Sequence, residues 1–145
     1  PLFHAIDTGQ TAAMSMLLEA GANMEERMAA PWTGGQTTWI TALQYSVVMS
    51  NGFRPTKLLL DAGADPNSNK DELLGWTPLH VLIHVCALDR PAGSRFLKIA
   101  ELLMEAGANP HLGDKVGHTP LDHAKGLKDD EMAIHLVKAM TLFDA

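Results

Sequence analysis

His80 and His84, in the run His80-Val81-Leu82-Ile83-His84, lie four residues apart, a spacing that puts two imidazoles on one face of a helix. Two such rings can begin a zinc site, or, with a glutamate directly after the first, the helical motif of a metalloprotease. Val81 occupies that second position, so the general base of the motif is missing. Cys86 follows His84 by two residues, and side chains two apart on a helix point in different directions, so the pair does not read as nucleophile and base. A buried structural thiol is expected instead. The chain also lacks a Gly-x-Ser-x-Gly elbow and a phosphate-cradling Gly-x-x-x-x-Gly-Lys loop. No catalytic residue, no cofactor and no bound metal is expected, and the reading is that of a protein that is not an enzyme.

Composition narrows the classes further. The 145 residues are 46% hydrophobic and 19% charged, which argues for a packed core rather than disorder. A net charge of −6 argues against phosphate-backbone binding, which needs clustered lysine and arginine, so nucleic acid is not an expected partner. A lone cysteine excludes an intramolecular disulfide framework and fits a reducing compartment, so an intracellular, cytoplasmic location is expected. No apolar run approaches the roughly 18 residues of a membrane span, and no membrane partner is expected. The length suits a single domain and a monomer.

The elements that would carry a function recur along the chain. Leu17-Leu18-Glu19-Ala20-Gly21-Ala22-Asn23, Leu58-Leu59-Leu60-Asp61-Ala62-Gly63-Ala64-Asp65 and Leu102-Leu103-Met104-Glu105-Ala106-Gly107-Ala108-Asn109 are near-copies. Each reads as the end of an amphipathic helix whose leucines face a core, stopped by a glycine that takes the left-handed conformation of a helix C-terminus. Downstream come Thr77-Pro78-Leu79-His80 and Thr119-Pro120-Leu121-Asp122, in which threonine suits the N-cap and proline the first helical position. At Thr41-Ala42-Leu43-Gln44 the proline is absent, but Gln44 completes a capping box with Thr41. The chain alternates helix start, glycine stop and turn.

These starts and stops, in this order, resemble the ankyrin repeat, a β-turn followed by two antiparallel helices in about 33 residues. The likeness covers nearly the whole chain, with Pro1-Leu2-Phe3-His4-Ala5 similar to a start that lacks its threonine. It implies an all-α solenoid of four repeats, approximately 1–36, 37–72, 73–114 and 115–145, with connecting β-turn fingers. The stop glycines are 42 and 44 positions apart, so two insertions are expected. One lies over 24–40 and reads as a long finger loop. The other lies over 87–94 and ends at Ser94, a suitable N-cap for a helix over 95–106.

In the fourth repeat Met140 stands where the glycines stand, and His135 stands where Met16, Leu58 and Leu102 stand. With Asp129, Asp130 and Glu131 at the favourable end of the helix dipole, this repeat is expected to close the array with a face toward water. The missing N-cap at Pro1 gives the opposite expectation, that the native chain continues upstream.

What the resemblance implies about sites is specific. The histidine matching His80 bonds its own capping threonine and neighbouring loop backbone in this family, and the family geometry brings His118 toward His80 and His84. That structural duty occupies both ring nitrogens and argues against a zinc site. His111 matches Asn67, a turn position that in the family is sometimes an asparagine or histidine hydroxylated by a separate enzyme.

Partners of the family usually meet the concave face built from finger tips and inner helices. The matching positions here are Thr37, Thr38 and Ile40 with Val48 and Met49, then Leu73, Leu74 and Trp76 with His84 and Val85, then Lys115, Val116 and His118 with Gly126 and Leu127. Asp7 and Thr8 extend the strip. Trp32 in the inserted finger is a further contact, either an anchor for a partner or a lid on its own domain. The apolar residues among them, Ile40, Met49, Leu73, Leu74 and Trp76, are expected on the groove rather than in the core. The function implied is a non-catalytic module that binds a protein partner in this groove. The alternatives are an inhibitor or immunity-type protein that blocks an enzyme with its inserted loops, and a structural or targeting spacer within a longer chain.

Overall fold

The computed structural model describes residues 2–33, 36–49, 52–68, 74–88, 95–126 and 131–144; the side chains at 30–33, 36–38, 86–88, 95, 131–133, 136 and 143–144 fall outside that description. Leu73 and Leu127, the proposed N-cap Ser94, and the side chain of Cys86 therefore lie outside the described residues.

Eight helices and one hairpin are present among the described residues. The helices run α1 Leu2–Asp7, α2 Thr11–Glu19, α3 Ala42–Val48, α4 Phe53–Asp61, α5 Pro78–Leu88, α6 Arg95–Glu105, α7 Pro120–Gly126 and α8 Glu131–Asp144. They form two layers. The inner helices touch in the order α1, α3, α5, α7, and the outer ones in the order α2, α4, α6, α8. Each helix pair meets mainly its neighbours, as in an all-α solenoid.

Local chemistry sets the ends of these helices. The amides of Gly63 and Ala64 reach back to the carbonyls of Leu60 and Leu59, and those of Gly107 and Ala108 to Met104 and Leu103. This is the paired C-terminal closure that needs a left-handed residue, and the glycines supply it at φ of 98° and 100°. Gly21 closes α2 with the same two bonds. At the other end, the Thr41 hydroxyl accepts from the Gln44 amide at 3.3 Å and the Gln44 carboxamide oxygen accepts from the Thr41 amide at 2.9 Å, the capping box expected there. Thr119 and Asp122 exchange the same two bonds, both at 3.0 Å.

Between the layers runs one strip of apolar side chains: Ile6, Met14, Leu43, Leu59, Leu79, Leu82, Phe96, Ile99, Leu103 and Met140 are all essentially inaccessible to water. The leucine-rich stops contribute unequally, since Leu59 and Leu103 are buried while Leu17 and Leu18 stay half-buried. The strip also holds a polar pair, Ser46 and Thr56, whose hydroxyls lie 2.9 Å apart and tie α3 to α4. Gly52 makes that tight connection possible, because a Cβ there would collide with the Ser46 carbonyl oxygen.

Two elements differ from expectation. The inserted finger over 24–40 is an antiparallel hairpin, β1 Arg27–Thr33 with β2 Gln36–Thr41, rather than a loop. Its strands pair from Arg27 opposite Thr41 to Thr33 opposite Gln36, with an irregularity between Ala30 and Thr33. The signals were local: two glycines sit between the strands, and Thr37-Thr38-Trp39-Ile40-Thr41 is rich in β-branched and aromatic residues. The second difference is α8, which continues four residues past Met140 and buries that side chain. His135 on the same helix is exposed as expected, but so are Ile134 and Leu142, so the outward face is mixed.

Leu103 and His135 give a test of this register. Leu103 is fully buried on α6, whose neighbours are α4, α5 and α8, so Leu103→Ala should cost about 2 to 5 kcal/mol. His135→Ala should cost far less. Chemical denaturation of the two variants measures the difference, and equal losses would mean that α8 is packed on a different face.

Candidate partner-binding groove

Trp76 stands at the point where the second, third and fourth helix pairs meet. Its carbonyl accepts from the Gln44 carboxamide at 2.7 Å, which ties the segment entering α5 to the start of α3. Its half-buried indole lies 4.9 Å from the His84 ring, 5.9 Å edge-on from the His123 ring, and 6.5 Å from His80 in a nearly parallel stack. The His118 ring adds an edge contact to His123 at 5.8 Å. An aromatic side chain held on one side by backbone and on three sides by rings has little rotamer freedom to lose on binding.

His80 is 1% exposed and both of its nitrogens are committed. The Thr77 amide donates to Nδ1 at 3.0 Å, with the Thr77 hydroxyl 2.9 Å from the same atom. A nitrogen that accepts carries no proton, so the hydrogen is on Nε2, which donates to the His118 carbonyl at 2.9 Å. Burial lowers the ring's affinity for a proton below the ordinary imidazole range; the His118 carbonyl opposes this, His123 adds to it, and Asp114 opposes it. His84 is shifted the same way, by burial and by His123.

Asp114 organises the finger beneath this cluster. One carboxylate oxygen accepts from the amides of Val116 and His118, at 3.0 and 2.9 Å, and the other accepts from His123 Nε2 at 3.0 Å. The carboxylate is 4% exposed. Burial pushes its pKa up, but the hydrogen bonds from His123 and the two amides, with the field of His80, outweigh burial and hold it at about 2.

At the far end of the inner layer Tyr45 donates to an Asp7 carboxylate oxygen at 2.6 Å. The bond to that anion, with burial and Asp7's charge, pushes the phenol up to about 12. This pair bridges the first two helix pairs, whereas Asp114 and His123 tie α7 to its own finger.

The expected contact residues divide on inspection. Lys115, Val116 and His118 are exposed, Val116 at 76%. Leu74, Trp76, His84, Val85, Val48 and Met49 are half-buried. Gly126, Asp7 and Thr8 are exposed. Trp32 lies on β1 and Thr37 and Thr38 on β2, with side chains outside the described set.

Ile40 is a correction: it is 2% exposed and belongs to the core, not to the groove. In a strand neighbouring side chains face opposite ways, so burying Ile40 turns Trp39 outward, and Trp39 is 46% exposed. Sequence reasoning passed over Trp39 because the segment was read as a loop, where alternation carries no meaning.

Among the described residues one trio of metal-capable side chains converges, His80, Asp114 and His123, with donor atoms within 4.8 Å of one another. It differs from the trio the sequence raised, and it fits a structural network better than a metal site. His80 presents an N–H where a metal needs a lone pair, and freeing that lone pair would strand the buried Thr77 amide.

A model of the ankyrin repeat matches residues 74–115, the stretch containing Trp76, His80 and the Gly107 stop. The whole chain superposes on the crystal structure of an ankyrin repeat domain from Acinetobacter baumannii AYE with a TM-score of 0.74 at 28% identity. The chain has the ankyrin-repeat fold, with a repeat of that family matched over 74–115. It covers 64% of that Acinetobacter chain. The ankyrin repeat protein YahD of Escherichia coli K12 is 38% identical over 78 residues, 54% of this chain and 37% of that protein. A mouse ankyrin repeat, SAM and basic leucine zipper domain-containing protein is 28% identical over 120 residues, 83% of this chain and 22% of that protein. The ankyrin array therefore spans well under half of these two curated relatives.

The tautomer of His80 makes a prediction about metals. Elemental analysis of tag-free protein should find no stoichiometric zinc. About one zinc per chain, lost in a His123→Gln variant, would overturn the structural reading of the trio.

Proposed function

We propose that this array is a non-catalytic module that holds a protein partner in its concave groove, with Trp76 as the central anchor and the inserted hairpin at its rim. Ankyrin repeats generally mediate protein–protein interaction and are generally not enzymes. The observation that supports the reading most directly is the setting of Trp76. Its indole is half-buried and braced by His80, His84 and His123, while its carbonyl is pinned by Gln44. Rigid, partly desolvated aromatic residues are the commonest source of binding energy at interfaces. Lys115 and Val116 supply an exposed cation and an exposed apolar side chain on the adjacent finger.

The hairpin favours a second reading, in which the array blocks an enzyme by inserting this finger. Trp39, at 46% exposure on an ordered strand pair, is the residue such a mode would use. Trp39→Ala separates the two: it should matter little for groove binding and greatly for insertion.

The proposal is tested by calorimetric titration of variants against a partner recovered by pull-down. Trp76→Ala should weaken affinity by about 2 kcal/mol or more, roughly 30-fold, with circular dichroism unchanged. Lys98→Glu, exposed on the outer helix α6, should matter little. Normal binding by the Trp76 variant together with a loss in the Lys98 variant would move the site to the convex face.

A further inference from the structure

Two junctions in this array are held by the same device built from different side chains. At the start of α3, Gln44 accepts from the Thr41 amide through its carboxamide oxygen and donates through its nitrogen to the Trp76 carbonyl of the next finger. At the start of α5, His80 accepts from the Thr77 amide through Nδ1 and donates through Nε2 to the His118 carbonyl of the next finger. Each side chain stands three residues after its threonine, and each is buried, at 0% and 1% exposure. One difference separates them: a carboxamide does not titrate in the physiological range, and an imidazole does.

We propose that His80 is an acid-released latch, so that acidification undocks α7 and α8 from the third helix pair while the junction held by Gln44 stays closed. A second proton on His80 can go only to Nδ1, where the Thr77 hydroxyl at 2.9 Å can accept it but the Thr77 amide hydrogen also points, at a nitrogen-to-nitrogen distance of 3.0 Å. Two donors pointed at each other at that distance repel and the Thr77 amide loses its buried acceptor, so the charged ring is driven from its seat even with the hydroxyl beside it. It then gives up the His118 carbonyl as well. Among the described residues the same finger also reaches the third repeat through the Lys115 amide on the Leu74 carbonyl.

The groups facing His80 decide the sign. On its own helix His84 lies one turn on; the next finger supplies Asp114 and His118, with Lys115 exposed beside them; α7 supplies His123. Asp114 attracts a proton to His80, but burial and His123 act against it, and the net shift is downward. A histidine that binds a proton less readily folded than unfolded gives stability that is whole above the unfolded value, near 6.5. That stability is lost as pH falls from there toward the lowered folded value. Each pH unit in the window raises the opened fraction up to tenfold per imidazole. His84, shifted the same way, adds to the effect without making a latch. Asp114, held at about 2, remains charged throughout.

Amide hydrogen exchange of the whole chain from pH 7.5 to 5, read as protection factors, tests this. Protection of α7 and α8 should fall by up to tenfold per pH unit below 6.5 relative to α3 and α4. His80→Gln, which copies the Gln44 latch, should keep most of that protection, and His84→Gln should still lose it. Equal acid losses in wild type and His80→Gln would overturn the proposal. Gln44→His serves if His80→Gln fails to fold: it should make the junction between the second and third helix pairs acid-labile, and an unchanged junction there would equally overturn it.

Discussion

The inner helices in this array begin with amides that have no partner within the helix, and two fingers turn a carbonyl toward the repeat before them. A single buried side chain meets both needs where Gln44 and His80 stand, accepting from the helix start and donating to the neighbouring finger. Because both groups are buried, losing the side chain would leave a donor and an acceptor unpaired, each costing about 1 to 3 kcal/mol. The distance between repeats is thus set by hydrogen-bond length as much as by packing of the apolar strip. Asp122, at the same position in the last helix pair, shows the other half of the rule. A carboxylate only accepts, so Asp122 caps its own threonine and, exposed, donates to nothing beyond.

That constraint also makes the groove rigid where it matters. Holding the Trp76 carbonyl fixes the backbone beneath the indole, and the rings of His80, His84 and His123 fix the indole itself. Asp114 does the same for the next finger by taking three hydrogen bonds on one buried carboxylate. Lys115 and Val116 are therefore carried on a braced turn rather than on a free loop. Under the proposed groove mode, a surface arranged this way would give up little entropy on binding and would favour a partner that fits the existing shape.

Much of this was legible in the residues because it is local chemistry repeated in register. Threonine starts, the Gln44 capping box and glycine stops each follow from a few neighbouring side chains, whereas the double duty of His80 was expected only from the family resemblance, since its second partner lies 38 residues on. The inserted finger was not legible as a loop, since strand pairing is settled by a partner strand and by the pleat. Once Arg27–Thr33 pairs with Gln36–Thr41, alternation sends Ile40 into the core and Trp39 outward. The bond between His123 and Asp114 was equally hidden. Nine residues separate them, and only the return of α7 over its own finger brings imidazole and carboxylate together. Met140 shows the same limit: without a glycine the helix has no stop, and its burial follows from where α8 lands on α6 and α7.

The two insertions are informative for where they fall. One lengthens a finger ahead of Thr41 and the other separates α5 from α6, so neither interrupts the four residues from threonine to latch. Lengthening a connection costs little, because loop-closure entropy grows only slowly with length. The contacts of α1 with α3 and of α2 with α4 persist across the first, and those of α4 with α6 across the second. Stacking and surface are in this way carried by different parts of the chain. The latch residues and the apolar strip, Ile40 and Thr41 of the hairpin included, hold the array together, while the outward side chains of the hairpin and finger tips can change chemistry without altering the spacing between repeats.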